Sequence, residues 1–209
     1  MTAHEITNIK MIERKEQLTE LHPFHVENAL WGTEQFPKMH GYIGFIPGDG
    51  FYLKLVCEET NPLRTYTKAN DPVYQDSAME VFLMFDSEGE KAHKGVYINL
   101  EMNSNGALLA GYGSGHAYRS FFTNAEHAMF ECKAEIHEKN WTVELKVPVV
   151  LLERIYGPLH LGEKSEFTCN FYKISETKSC EHYVSYAPIE SDIPNFHVPE
   201  FFAEAEIVR

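Results

Sequence analysis

Positive charge is scarce in this chain: 18 lysines and arginines stand against 31 aspartates and glutamates in 209 residues, a formal charge of −13 with histidine neutral. No Lys/Arg cluster relieves the imbalance locally, so neither nucleic acid nor an anionic membrane is expected as a partner. Long hydrophobic runs are also missing. The longest aliphatic stretch is Val149-Val150-Leu151-Leu152, far short of the roughly 20 apolar residues of a membrane-spanning helix. The first residues carry charge at Glu5, Lys10 and Glu13 to Glu16, where a secretory signal would place its apolar segment. As written, the chain is therefore expected in the cytoplasm, and outside the cell if a leader has been removed. Cysteine is sparse. Cys57, Cys132, Cys169 and Cys180 share no C-x-x-C spacing, which argues against a zinc site or redox pair and for four free thiols.

Catalytic signatures are absent as well. The chain has no G-x-S-x-G, no Walker loop, no G-x-G-x-x-G after a strand and no H-E-x-x-H. Gly111-Tyr112-Gly113-Ser114-Gly115-His116 is glycine-rich but lacks a following lysine, and reads as a loop. The 11 histidines include no convincing metal-ligand pair.

What is present is an aromatic, alternating chain. Hydrophobic residues make up 44%, with 14 Phe and 11 Tyr, enough to build a core without metal or disulfide staples. Period-two alternation recurs from about residue 50 onward. Phe51, Leu53, Leu55 and Cys57 share one face, as do Val81, Leu83 and Phe85, with Glu80 and Phe82 on the other side. In the strand that follows, Val96, Ile98, Leu100 and Met102 face inward and Tyr97, Asn99, Glu101 and Asn103 face away. Residues 130–136, 141–147, 167–174, 182–187 and 205–208 continue the series, separated by turn signals such as Pro47-Gly48-Asp49-Gly50 and Ser104-Asn105-Gly106. Two segments read as helical: 8–18, weakly, and 148–155, with Pro148 at its first position. The expected fold is all-β, two packed antiparallel sheets in a sandwich or jelly roll. A single domain spans residues 1–209, with roughly the first 25 residues as a packed extension.

The face opposite the core carries the chemistry. Glu80, Asn99 and Glu101 project from one sheet if their strands are neighbours, with Tyr97 and Phe82 beside them. Carboxylates and amides match the vicinal hydroxyls of a sugar, and aromatic rings cover its C–H faces. The same pattern also suits the solvated face of an antiparallel sheet.

Specific motifs narrow the reading. Asp71-Pro72-Val73-Tyr74-Gln75-Asp76-Ser77-Ala78-Met79-Glu80-Val81-Phe82 resembles the D-P-x-W/Y-x-D-S-x-x-E-x-F signature of family 9 carbohydrate-binding modules, within the DOMON-like superfamily. Tyr97-Ile98-Asn99-Leu100-Glu101-Met102-Asn103, Trp141-Thr142-Val143-Glu144, Asn170-Phe171-Tyr172-Lys173, His182-Tyr183-Val184-Ser185 and Pro194-Asn195-Phe196-His197 resemble the family's later motifs, in order. The resemblance implies a β-sandwich with a slot in which two aromatic rings flank a sugar. Tyr74 matches the first ring and Phe196 the second, where other members carry tryptophan. Glu80 matches the carboxylate that takes sugar hydroxyls, and Tyr97, Asn99 and Glu101 would line the floor.

The leading expectation is non-catalytic binding of a mono- or oligosaccharide in a polysaccharide-degradation setting. One alternative is a carbohydrate-active enzyme using carboxylates such as Glu80 and Glu101 as an acid/base pair, since glycosidases need two carboxyls about 5–5.5 Å apart for retention or about 6.5–9.5 Å for inversion. Another is a haem-binding relative of the same sandwich. No cofactor is expected from the residues themselves. The resemblance implies structural calcium in some members, and the acidic turns Asp86-Ser87-Glu88-Gly89-Glu90 and 71–76 offer oxygen ligands.

Overall fold

The computed structural model describes residues 7–86 and 95–209. The strands are β1 (Thr7–Met11), β2 (Phe24–Val26), β3 (Asn28–Ala29), β4 (Lys38–Ile46), β5 (Gly50–Glu58), β6 (Ala78–Met84) and β7 (Tyr97–Asn103). There follow β8 (Leu108–Gly113), β9 (Arg119–Phe121), β10 (Lys133–Ile136), β11 (Trp141–Pro148), β12 (Glu166–Ser175), β13 (His182–Ser185) and β14 (Ala203–Val208). Two short helices, α1 (Asn124–Met129) and α2 (Val149–Tyr156), interrupt them.

The alternating residues do what the pattern demands. The order β10-β11-β5-β4 forms one layer and β14-β12-β6-β7-β8-β9 the other. Their apolar faces meet in one core, in which Phe51, Leu53 and Leu55 of β5 and Val143 and Leu145 of β11 join Val81, Leu100 and Phe171 of the opposite layer. Ring contacts bridge the layers, with Phe24 stacked on Phe171 at 4.0 Å and Phe51 against Phe167 at 5.2 Å. All four cysteines are free, and burial pushes the thiols of Cys57, Cys132 and Cys169 up to about 12.

The architecture is the expected β-sandwich of two packed layers, with one difference of detail: the strand pairing is mixed rather than strictly antiparallel. Residues 8–18 are not a helix. β1 pairs parallel with β14 at Thr7 to Lys10 and parallel with β4 at Lys10 and Met11, so one mixed sheet runs through both layers. Ile9, fully buried between distant strands, outweighs the weak local helical tendency of this segment. Short 3₁₀ turns follow at Lys15–Glu20. The helical reading of 148–155 holds one residue later, with Pro148 flanking α2 rather than opening it. The strand expected at 130–136 begins at Lys133, because Thr123 and Glu126 form a reciprocal cap that starts α1 just before it.

The second face of β6, β7 and β12 is covered rather than solvated. Residues 186–202 pass over it, and Ile189, Phe196 and Phe202 join Phe82, Tyr97 and Tyr172 in a second, smaller core. Tyr97, Asn99, Glu101 and Asn103 are all buried. An opening remains over the two glutamates.

Candidate functional site

Strand register builds the floor of that opening. Glu80 and Glu101 are cross-strand partners on β6 and β7, and Tyr172 on β12 is the partner of Glu80 on the other side. Side chains opposite one another in such pairs lie about 5 Å apart at Cβ, so the two carboxylates share one small volume. Each residue is 2% exposed. Glu101 Oε1 accepts from Asn99 Nδ2 at 2.9 Å and from Arg119 Nη1 at 3.2 Å. Burial raises both carboxyls. Glu80 is held well above its ordinary value, with Glu101 beside it adding to the effect, while Arg119 draws Glu101 back to about 7.

The glycine-rich run explains how Arg119 fits. The first half of the segment expected as a loop, Gly111 to Gly113, is the end of β8, with Gly111 opposite Asn99, and Ser114 to His116 leave the strand. A Cβ at Gly111 would lie 2.9 Å from Asn99 Oδ1 and 3.6 Å from Arg119 Cδ. The bare backbone therefore makes room for the amide and the guanidinium to lie across the sheet. Arg119 comes from β9, the edge strand paired to β8.

Above this floor is a cleft of about 500 Å³. Tyr74 stands on one wall, and the backbone oxygen of Tyr74 accepts from the amide of Glu176 at the rim. Trp31, Tyr183 and Phe196 form an aromatic cluster on the wall, with Trp31 5.5 Å from each of the other two rings. Trp31 has φ of 49° and is followed by Gly32 at 79°. A left-handed tryptophan is unfavourable. It is held by Nε1 donating to the Ser191 oxygen at 2.6 Å. His116 and His197 also line the cleft, with rings 5.0 Å apart. Desolvation, with Arg119 and His116 nearby, lowers His197 to about 3, so it is neutral near pH 7 and its Nδ1 shares a 2.6 Å hydrogen bond with the Tyr97 hydroxyl.

Of the residues expected from sequence, Tyr74, Glu80, Glu101 and Phe196 line the cleft. Tyr97 and Asn99 do not. Tyr97 is buried, stacked 5.6 Å from Phe82 and supporting His197, and Asn99 holds Glu101 from below. Phe196 is 5% exposed and stacks on Tyr172 at 4.1 Å, so most of its ring belongs to the second core rather than to an open platform. Sequence reasoning missed Arg119, Trp31, Tyr183, His116 and His197. The paired glycines opposite a polar strand were the available signal for Arg119.

In the described acidic turn, 71–76, the carboxylates are taken up by neighbouring amides. Asp76 accepts from the amides of Thr65 and Tyr66 and from Asn103 Nδ2, and Asp71 from the amides of Thr67 and Lys68. These carboxylates brace the loop that carries Tyr74. Asp86 opens the other expected calcium turn, whose remaining residues, 87–90, lie outside the described residues. Among the described residues no group of three or more His, Cys, Asp or Glu is arranged to hold a metal ion, and no helix is long and apolar enough to cross a membrane.

The family model for carbohydrate-binding family 9 matches residues 15–207. The chain belongs to carbohydrate-binding family 9. No curated protein sequence matches this family 9 chain. Among solved structures, it is similar to a Bacteroides uniformis protein inferred to bind carbohydrate, at 20% identity and a TM-score of 0.78, covering 97% of both chains. It is also similar to a family 9 module from Caldicellulosiruptor kristjanssonii, in complex with cellotriose, at 10% identity and a TM-score of 0.62 over 98% of this chain and 94% of that one. The glucose complex of a family 9 module from the same organism aligns at 11% identity and a TM-score of 0.61, over 97% of each chain. At these identities the likeness is one of fold, and it extends over nearly the whole family 9 chain.

Proposed function

We propose that this chain binds a mono- or oligosaccharide without catalysing its reaction, and that the cleft over Glu80 and Glu101 is where the sugar sits. The observation that carries this reading is the juxtaposition of a buried carboxylate and guanidinium floor with a wall of Tyr74, Trp31 and Tyr183. Hydroxyls of a pyranose both donate and accept, and this floor offers both kinds of partner. Apolar C–H faces stack on aromatic rings. Among the described residues, Glu101 Oε2 and Arg119 Nε are buried without hydrogen-bond partners, which leaves an acceptor and a donor unsatisfied at the cleft floor. The complexes of family 9 modules with cellotriose and glucose support the same ligand class.

Neither hydrolysis nor haem binding is favoured by these observations. The setting we propose is polysaccharide degradation, with the chain holding sugar for chemistry done elsewhere. Calorimetric titration with glucose and cellotriose, run beside an assay for released reducing ends, tests the reading. Saturable heat with no product is expected. Absence of heat with every sugar tried, or turnover, would overturn it.

A further inference from the structure

The cleft is short of positive charge. Among the described residues that line it, Glu80, Glu101 and Glu176 are carboxylates and Arg119 is the sole permanent cation. Arg119 is already committed to Glu101, at 3.2 Å. The two lining histidines do not compensate, because both are shifted toward the neutral form by desolvation and by Arg119 itself. Lys173 belongs to the other face of the sheet. It neighbours the cleft strands in sequence, but its Nζ is buried against Ser77 Oγ at 2.6 Å and His182 Nε2 at 2.9 Å.

A neutral sugar brings hydroxyls to this site and no charge. Whether the site is empty or filled by glucose, Arg119 serves Glu101 alone, and burial beside Glu101 holds Glu80 toward its protonated, neutral form, which it would leave only if a second cation lay against it. A ligand cation at the floor would supply what the protein does not. We propose that the preferred ligand is an amino sugar with a free amine, a 2-amino-2-deoxyhexose or an oligosaccharide ending in one, whose ammonium sits between Glu80 and Glu101. This rests on the sugar-binding reading and narrows it to a substrate class.

The chemistry is selective in two directions. An ammonium donates charge-assisted hydrogen bonds to carboxylates, which are about twice as strong as neutral ones. N-acetylation removes the charge and adds bulk, so the acetylated sugar loses the advantage. Glu176, exposed at the rim beside Tyr74, adds negative potential at the cleft mouth and favours the approach of a cation.

The test is calorimetry at neutral pH and low salt with three probes, glucosamine, glucose and N-acetylglucosamine. Glucosamine should bind about tenfold more tightly than glucose, N-acetylglucosamine no more tightly than glucose, and added salt should erode the difference. Glu80→Gln should bring glucosamine and glucose to within about twofold of one another, and Glu176→Gln, at an exposed position tolerant of change, should reduce the preference in part. Glucose binding as tightly as glucosamine to the wild-type protein would overturn the inference and leave the sugar-binding reading intact. Failure of all three probes, and of cellotriose, would overturn both.

Discussion

Glu80 on β6 and Glu101 on β7 stand opposite one another in the strand register, and the Arg119 guanidinium pairs with Glu101 at 3.2 Å. Both carboxylates are buried on a face that the 186–202 segment covers. The arrangement concentrates two acids and one base at the cleft floor, and its consequences can be measured.

Arg119→Ala should destabilise the fold. Removing one partner of a buried ion pair leaves the other charge uncompensated and typically costs about 3–5 kcal/mol. The double variant Arg119→Ala with Glu101→Gln should recover a substantial part of that loss, because the stranded charge is then gone. Thermal melts of the two single variants and the double variant check this. A double variant no more stable than Arg119→Ala would contradict it.

Glu101 also sets a pH dependence. Its ordinary value is 4.5, and in the folded protein burial pushes it up to about 7 against the pull of Arg119 and Asn99. Between those values the folded state binds more protons than the unfolded one, so stability falls as pH rises from 4.5 through 7 and stays lower above it. His182 and His197, each lowered to about 3, act in the opposite sense below 6.5. They are common to wild type and Glu101→Gln. The variant's Tm relative to wild type should therefore rise between pH 5 and about pH 7 and level off above it, and a flat difference throughout would count against the assignment.

Tyr74 and Phe196 should behave differently, although sequence alone pairs them. Tyr74 is half-buried at the cleft wall, whereas Phe196 is 5% exposed and stacked on Tyr172. Tyr74→Ala should weaken sugar binding by about 1–3 kcal/mol with little change in Tm, as expected when a ring that contacts the ligand is lost. Phe196→Ala should lower stability itself, by about 3–5 kcal/mol, because it opens a cavity in the second core. Calorimetry and thermal melts on the same two variants separate these roles.

Much of this arrangement is legible in the chain. Alternation in Tyr97-Ile98-Asn99-Leu100-Glu101-Met102-Asn103 places the polar residues on one face, and the structure keeps them there. The pattern carries no information about what lies over that face, because the cover comes from residues nearly 90 positions later. β4 escapes the alternation reading for a related reason. Gly41 occupies an inward position in it, and a Cβ there would collide with the ring of Phe24. A glycine that admits a distant aromatic ring looks, locally, like a break in the strand. Trp31 sits in a turn with no periodicity of its own, and its place at the cleft follows from the Ser191 hydrogen bond and the Tyr183 and Phe196 contacts, all long-range. By contrast the Thr123 and Glu126 cap of α1 was readable from local sequence.

The location of the ligand is the central claim, and the two tryptophans provide the most direct test. Trp31 lines the cleft, while Trp141 is fully buried in the main core with its Nε1 donating to Glu59. A sugar that calorimetry shows to bind should change the tryptophan emission of the wild-type protein, saturating with the same Kd. In Trp31→Phe, where Trp141 is the sole emitter, saturating sugar should leave the emission unchanged. Unchanged wild-type emission at saturation, or an undiminished response in Trp31→Phe, would contradict binding in this cleft.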